Sequence, residues 1–266
     1  MARSIRQGRT VRSIRYVLAN WKMYPGPAEA IGLLARVQER LREEVGSPFA
    51  LPTVIVCPPA ISLMAMRDMA DRHLVRLGAQ NCHWEASGPY TGEISPAMLR
   101  GLVDYVLVGH SERRRAGETD EQVASKVAAV AANAMTPILF VGEEEPTAAA
   151  AEQTEERLER GLAEVDVARR PVVVVYEPAW AIGAEKAAAG DHVRTVVTRL
   201  KERLVDKGAQ RPAGIYGGSV TAGNGGQFTA IDVLDGVGAT RATLDQRGFV
   251  TIVQRVARAG IEENGG

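Results

Sequence analysis

Pro171-Val172-Val173-Val174-Val175-Tyr176-Glu177-Pro178-Ala179-Trp180-Ala181-Ile182-Gly183 runs from an unbroken apolar stretch into a carboxylate, a second proline and a loop of small residues. The apolar part is short, β-branched and flanked by proline, which reads as a fully buried strand. Glu177 then stands at that strand's C-terminal end, fixed by the rigid Pro178. In a barrel of parallel strands, chemistry is done at that end. A carboxylate there, under a loop that can move, reads as a general base beneath a lid.

Outward from this stretch, apolar runs alternate with helix-period segments along the whole chain. Strands are expected over residues 16–20, 53–57, 74–79, 105–108, 137–141, 172–176 and 214–216, with a weaker eighth at 236–239. Helices are expected over 27–45, 60–70, 120–134, 149–165, 191–207 and 249–259. A short helix should begin at Ser95-Pro96, with Ser as cap and Pro in the first helical position. Such alternation means parallel strands joined by crossover helices. About eight strands in a chain of 266 residues give the α/β class and a single closed (β/α)8 barrel over 15–266.

Lys plus Arg equals Asp plus Glu at 32 each, so no global field draws the chain to nucleic acid or a membrane. The basic start is the exception, with Arg3, Arg6, Arg9, Arg12 and Arg15 at every third position. Residues 2–13 show no clear apolar core or amphipathic pattern of a targeting peptide, and 1–14 read as a solvated, mobile extension. Cys57 and Cys82 cannot make a disulfide framework and fit a reducing, cytoplasmic setting as packed thiols. His73, His83, His110 and His192 show no metal-ligand spacing, and no run is long and apolar enough to span a membrane.

Five segments place polar residues where strands end. Asn20-Trp21-Lys22 follows the first, and alternation puts Asn20 and Lys22 on one side. Gly109-His110-Ser111-Glu112-Arg113-Arg114 follows the fourth and Glu177 the sixth. Tyr216-Gly217-Gly218-Ser219 follows the seventh, and Gly238-Ala239-Thr240-Arg241 the eighth. Each has an ordinary structural reading: a solvated lysine, a loop histidine, a tight turn, a surface ion pair. Together they fall on the one face where barrel enzymes build their sites. Other chemistries fail on single residues. Thr221 and Arg113 stand where a nucleophile elbow needs its last glycine. Arg241 occupies the last glycine of a dinucleotide fingerprint.

In order and spacing these segments resemble the triosephosphate isomerase family, from about Tyr16 to Ala259. The resemblance implies a TIM barrel that needs no cofactor or metal and moves a proton between adjacent carbons of a phosphorylated hydroxy-ketone. By that likeness Glu177 is the base, and His110 is a neutral imidazole that polarises the carbonyl. Lys22 supplies charge for the oxyanion and Asn20 a hydrogen-bond donor. Glu112, Ser111, Trp180 and Tyr216 support them. Gly183, Gly217, Gly218, Ser219, Thr240 and Arg241 bind the phosphate, largely through backbone N–H groups. The segment over 178–189 is the lid. The long loop from Gln80 to Ser95 resembles the family's arm into a second, identical subunit.

The chain also departs from that pattern. Thr240-Arg241 replaces the family's Gly-Gly, so a side chain stands where backbone alone usually approaches the phosphate. Ala184-Glu185-Lys186-Ala187 replaces Thr-Gly-Lys-Thr in the lid, and Phe140 replaces a cysteine. Arg241, with His83-Trp84, also resembles the family's L-erythrulose-1-phosphate isomerases, which use the same chemistry on a four-carbon ketose. A sugar-phosphate-binding barrel without catalysis is the third reading. It would be marked by loss of Glu177, His110 or Lys22, and all three are present.

Overall fold

The computed structural model describes residues 15–45, 51–182 and 187–262. Eight parallel strands close a barrel in chain order. They are β1 (Tyr16–Asn20), β2 (Thr53–Cys57), β3 (Arg76–Ala79), β4 (Tyr105–Val108), β5 (Thr136–Val141), β6 (Val173–Tyr176), β7 (Ala213–Tyr216) and β8 (Gly236–Ala239). The ring closes at β1, where Tyr16 lies beside Thr53 on one side and Gly236 on the other. Around it run α1 (Pro27–Val45), α2 (Leu63–Met69), α3 (Pro96–Leu99), α4 (Ser111–Arg115), α5 (Asp120–Ala132), α6 (Ala150–Gly161), α7 (Gly190–Asp206), α8 (Gly225–Thr229) and α9 (Gln246–Glu262).

Strand alternation sorts the core into two layers. Leu18, Ile55, Leu107, Ile138, Val173, Val175 and Ile215 fill the barrel interior. Val17, Val54, Val56, Val106, Leu139, Val174 and Val237 pack outward against the helices. Each buried aliphatic side chain contributes roughly 1.5–3 kcal/mol. A one-residue slip of β6 would exchange Val173 and Val175 with Val174 and Tyr176, so its register is strongly held. The same parity aims Glu177 at the barrel mouth rather than at the helices.

The elements differ from the sequence expectation at their ends. β3 begins at Arg76 rather than residue 74, because Leu74 and Val75 both donate to Asp71 O at 2.9 Å in a turn after α2. The helix expected over 60–70 opens as a 3₁₀ turn, Ala60–Ser62. α6 stops at Gly161 rather than 165. α8 was not anticipated: its sequence, Gly-Gly-Gln-Phe-Thr, is poor in helix formers, and burial of Phe228 offsets that weakness. The Ser95 cap is present, its Oγ accepting from Met98 N at 3.2 Å. Arg15, last of the arginine series, is buried and donates to Leu234 O at 3.0 Å, so it belongs to the barrel. Residues 1–14 lie outside the described residues.

Candidate active site

A cavity of 650 Å³ opens at the C-terminal mouth of the barrel, and Asn20, Lys22, His110, Glu177, Ser219 and Arg241 all line it. The five strand ends singled out in the sequence therefore converge on one volume.

Glu177 and His110 form its centre. Glu177 continues the inward parity of β6. His110 does not continue β4 in this way; strand parity would carry it to the helix side. Gly109 intervenes with φ +74°, a left-handed turn that brings the imidazole onto the mouth. The two side chains are buried, with His110 Nε2 at 3.0 Å from Glu177 Oε1. His110 Nδ1 accepts from Glu112 N at 3.2 Å, in the first turn of α4. A nitrogen that accepts carries no proton, so the ring is neutral and its proton sits on Nε2, directed at Glu177. The second Glu177 oxygen accepts from Ser111 N at 2.8 Å. Both carboxylate oxygens thus rest on donors of the protein.

Lys22 reaches the site by a different route from the one alternation suggested. β1 ends at Asn20, and Lys22 adopts φ +48°, a left-handed conformation costly for a residue with a side chain. Asn20 Oδ1 accepts from Lys22 N at 3.0 Å and braces the turn. The ammonium lies 2.6 Å from Glu112 Oε1, one of the residues expected from the resemblance to support the site. Burial raises the Glu112 carboxyl, but the Lys22 hydrogen bond and charge outweigh it and hold the group below the usual range.

The opposite wall is backbone. At Gly217 an added Cβ would sit 2.4 Å from Val175 Cγ1, and at Gly218 2.1 Å from the Tyr216 hydroxyl, so neither position tolerates a side chain. Asn224 shapes the loop between β7 and α8. It accepts from Thr221 N at 2.7 Å and donates to Ser219 O at 2.8 Å. Among the described residues, the N–H groups of Gly218, Ser219, Thr240 and Arg241 donate to no protein acceptor. Free N–H groups around one cavity suit an anion. The Ser219 hydroxyl is turned away, donating to Ala181 O at 2.8 Å. Arg241 is exposed and lines the cavity, and its side chain has no hydrogen-bond or ionic partner among the described residues. Gly183 and Glu185 lie outside the described residues.

Four residues here escaped the sequence reading. Glu143, just past β5, is buried, and its Oε1 accepts from Tyr176 OH and Trp180 Nε1, each at 2.8 Å. Arg115 donates to Ala179 O at 3.1 Å. Together they pin the 3₁₀ turn Ala179–Ala181 that follows Glu177. Asn224 and Tyr24 also line the cavity. A lone Glu or Asn in a loop leaves no periodic trace. The signal available for Glu143 was its place just after the fifth apolar run. Tyr216, expected as support, accepts from Ala188 N at 3.0 Å and so holds the far end of the segment over 178–189.

A closed eight-stranded barrel with a carboxylate, an imidazole and an ammonium converging at its C-terminal mouth is the layout of an enzyme. The family profile described as Triosephosphate isomerase matches residues 15–256. A triosephosphate isomerase of Synechococcus sp. (strain JA-2-3B'a(2-13)) is 38% identical over 254 residues, covering 91% of this chain and 97% of its own. One from Carboxydothermus hydrogenoformans is 36% identical over 255 residues, covering 90% and 97%. The crystal structure of triosephosphate isomerase from Bartonella henselae superposes with a TM-score of 0.79 at 27% identity, covering 91% of this chain and 98% of that one. The chain belongs to the triosephosphate isomerase family and is an isomerase.

Proposed function

We propose that Glu177, His110, Lys22 and Asn20 interconvert dihydroxyacetone phosphate and D-glyceraldehyde 3-phosphate by proton transfer through an enediolate. The Glu177–His110 pair carries this reading: a base and a neutral N–H donor stand 3.0 Å apart where substrate would enter. Substrate displaces Glu177 from one of its resting donors, and the freed carboxylate takes a hydrogen from the hydroxymethyl carbon as a proton. The electron pair left behind moves onto the carbonyl oxygen, which His110 Nε2–H and the Lys22 ammonium stabilise. Protons then pass between the two oxygens through His110, and Glu177 returns its proton to the neighbouring carbon. The free N–H groups at Gly218, Ser219, Thr240 and Arg241 hold the phosphate. The substrate's own carbonyl is the electron sink, so the scheme calls on no cofactor or metal.

The comparisons lend nothing to a four-carbon substrate, and Arg241 reads best as a further ligand for the triose phosphate. Arg241→Ala is expected to raise KM several-fold with kcat little changed. A charged hydrogen bond is worth about 1.5–3 kcal/mol, trimmed here by solvent. The test is kcat/KM for dihydroxyacetone phosphate and L-erythrulose 1-phosphate in both proteins. The larger value for the triose phosphate, with losses in proportion, is expected. A larger value for the four-carbon ketose, or a loss confined to it, would overturn the substrate assignment.

The working unit is a homodimer through the loop from Gln80 to Ser95. That loop is a braced arm: His83 N donates to Ile94 O at 2.8 Å, and His83 stacks on Trp84 at 4.1 Å. Gln80 Nε2 donates to Lys22 O at 2.8 Å, which ties the arm's root to the catalytic turn. Residues 85–93 are exposed, as are Met23, Tyr24, Ile61, Met64 and Met98. A second cavity of 430 Å³, lined by Lys22, Met23, Tyr24, Gln80 and Arg113 among others, opens beside them. An exposed arm, an apolar surface and a receiving cavity on one molecule fit a second copy of the chain. Among the described residues no helix is long and apolar enough to cross a membrane. With two free buried cysteines this is in keeping with the cytoplasm. Residues 1–14 are assigned as a basic extension ahead of the barrel.

A further inference from the structure

Glu143 and His192 form a carboxylate–imidazole pair that the proposed reaction does not use. His192 lies in the first turn of α7, and its Nε2 is 3.1 Å from Glu143 Oε1. That oxygen also accepts from Tyr176 and Trp180, while the other accepts from Thr154 Oγ1 at 3.1 Å. Glu143 O further accepts from Ala179 N at 2.9 Å. The turn two residues beyond Glu177 therefore hangs on Glu143 by both side chain and backbone.

Of the side chains that donate to Glu143, only the His192 imidazole can take up a further proton and become a cation. Burial drives the Tyr176 hydroxyl far up, and Glu143 adds to the rise; burial pushes Tyr216 up to about 12. Both stay protonated. Arg157 pairs with Glu144 at 2.9 Å, and the exposed Asp191 precedes His192 on α7. Among the described residues no other charged group forms an ion pair with Glu143. Burial raises the Glu143 carboxyl, but hydrogen bonds from Trp180, its own backbone, His192 and Tyr176 hold it below the usual range.

We infer that His192 is a protonatable positioning residue whose charge state sets how firmly Glu143 holds the Trp180 turn, and through it where Glu177 sits. A neutral imidazole gives Glu143 an ordinary hydrogen bond. An imidazolium gives a charge-assisted one, roughly twice as strong. The inference rests on Glu177 being the base, and its test has one readout that does not.

Intact wild-type protein and His192→Gln, which keeps an N–H donor but cannot take a proton, are compared from about pH 8 to about pH 5.5. Tryptophan emission is read without substrate, since the His192 and Trp180 rings lie 6.0 Å apart and imidazolium quenches indole. Trp21 and Trp84 are common to both proteins, so the difference between the two curves isolates His192. Greater quenching in the wild type is expected as pH falls. The wild-type to variant ratio of kcat should rise about five-fold over the same descent, with KM alike, as for a neutral bond exchanged for a charged one. Superimposable emission curves would overturn the charge change, and a flat kcat ratio would overturn the positioning role. A wrong assignment of Glu177 would leave the emission difference in place. His192→Asn serves if the glutamine variant does not fold.

Discussion

Glu177→Gln is expected to lower kcat by about 10²–10⁴-fold or more, with KM little changed. The amide keeps the size of the carboxylate but cannot accept a carbon-bound proton. It also offers one acceptor where two are used, because His110 Nε2 and Ser111 N each donate to a different oxygen. Either the imidazole or the α4 N-terminus loses its partner, which adds a ground-state rearrangement to the lost base. Exchange of solvent hydrogen into substrate should fall in step with isomerisation. A variant with near-wild-type kcat would remove Glu177 from the mechanism.

Glu177 was also the residue most open to reading from the chain alone. Its strand is short, apolar and ended by proline, and side-chain parity carries straight from Val173 through Val175 to the carboxylate. Where regular geometry persists to the strand end, the sequence is informative. Where it breaks, the reading thins. Lys22 was placed with Asn20 by alternation, yet it is delivered by a left-handed turn that no periodicity encodes. His110 needs the reversal at Gly109 to face the cavity. Glu143 collects donors from β6, α6 and α7, far apart in the chain, so its role exists only after folding. α8 was hidden for another reason, since local propensity opposes it and tertiary burial decides.

Deleting residues 84–90 should yield a monomer with activity lowered on the order of 10²-fold. In the proposed dimer the exposed arm would no longer fill the cavity beside Lys22 on a second copy. Lys22 holds a strained backbone with few braces of its own: Asn20 Oδ1 on its N–H, Gln80 on its carbonyl and Glu112 on its ammonium. Loosening such a group by about 1 Å is enough for a loss of that size. The barrel itself should survive, since the deleted residues lie outside both core layers. Light scattering gives the mass and a coupled assay the turnover. A fully active wild-type monomer, or a deletion variant that remains an active dimer, would refute the assembly.

The proton-transfer chemistry can be tested most directly by running the conversion of dihydroxyacetone phosphate in D₂O and reading deuterium at the carbons beside the carbonyl by NMR. A base that takes the hydrogen as a proton lets it exchange before return. Deuterium should therefore enter the product at the carbon that receives it, and one of the two hydroxymethyl hydrogens of recovered substrate should be replaced. Turnover that leaves both molecules free of deuterium would mean that hydrogen moves directly between the carbons, and would contradict an enediolate formed by Glu177.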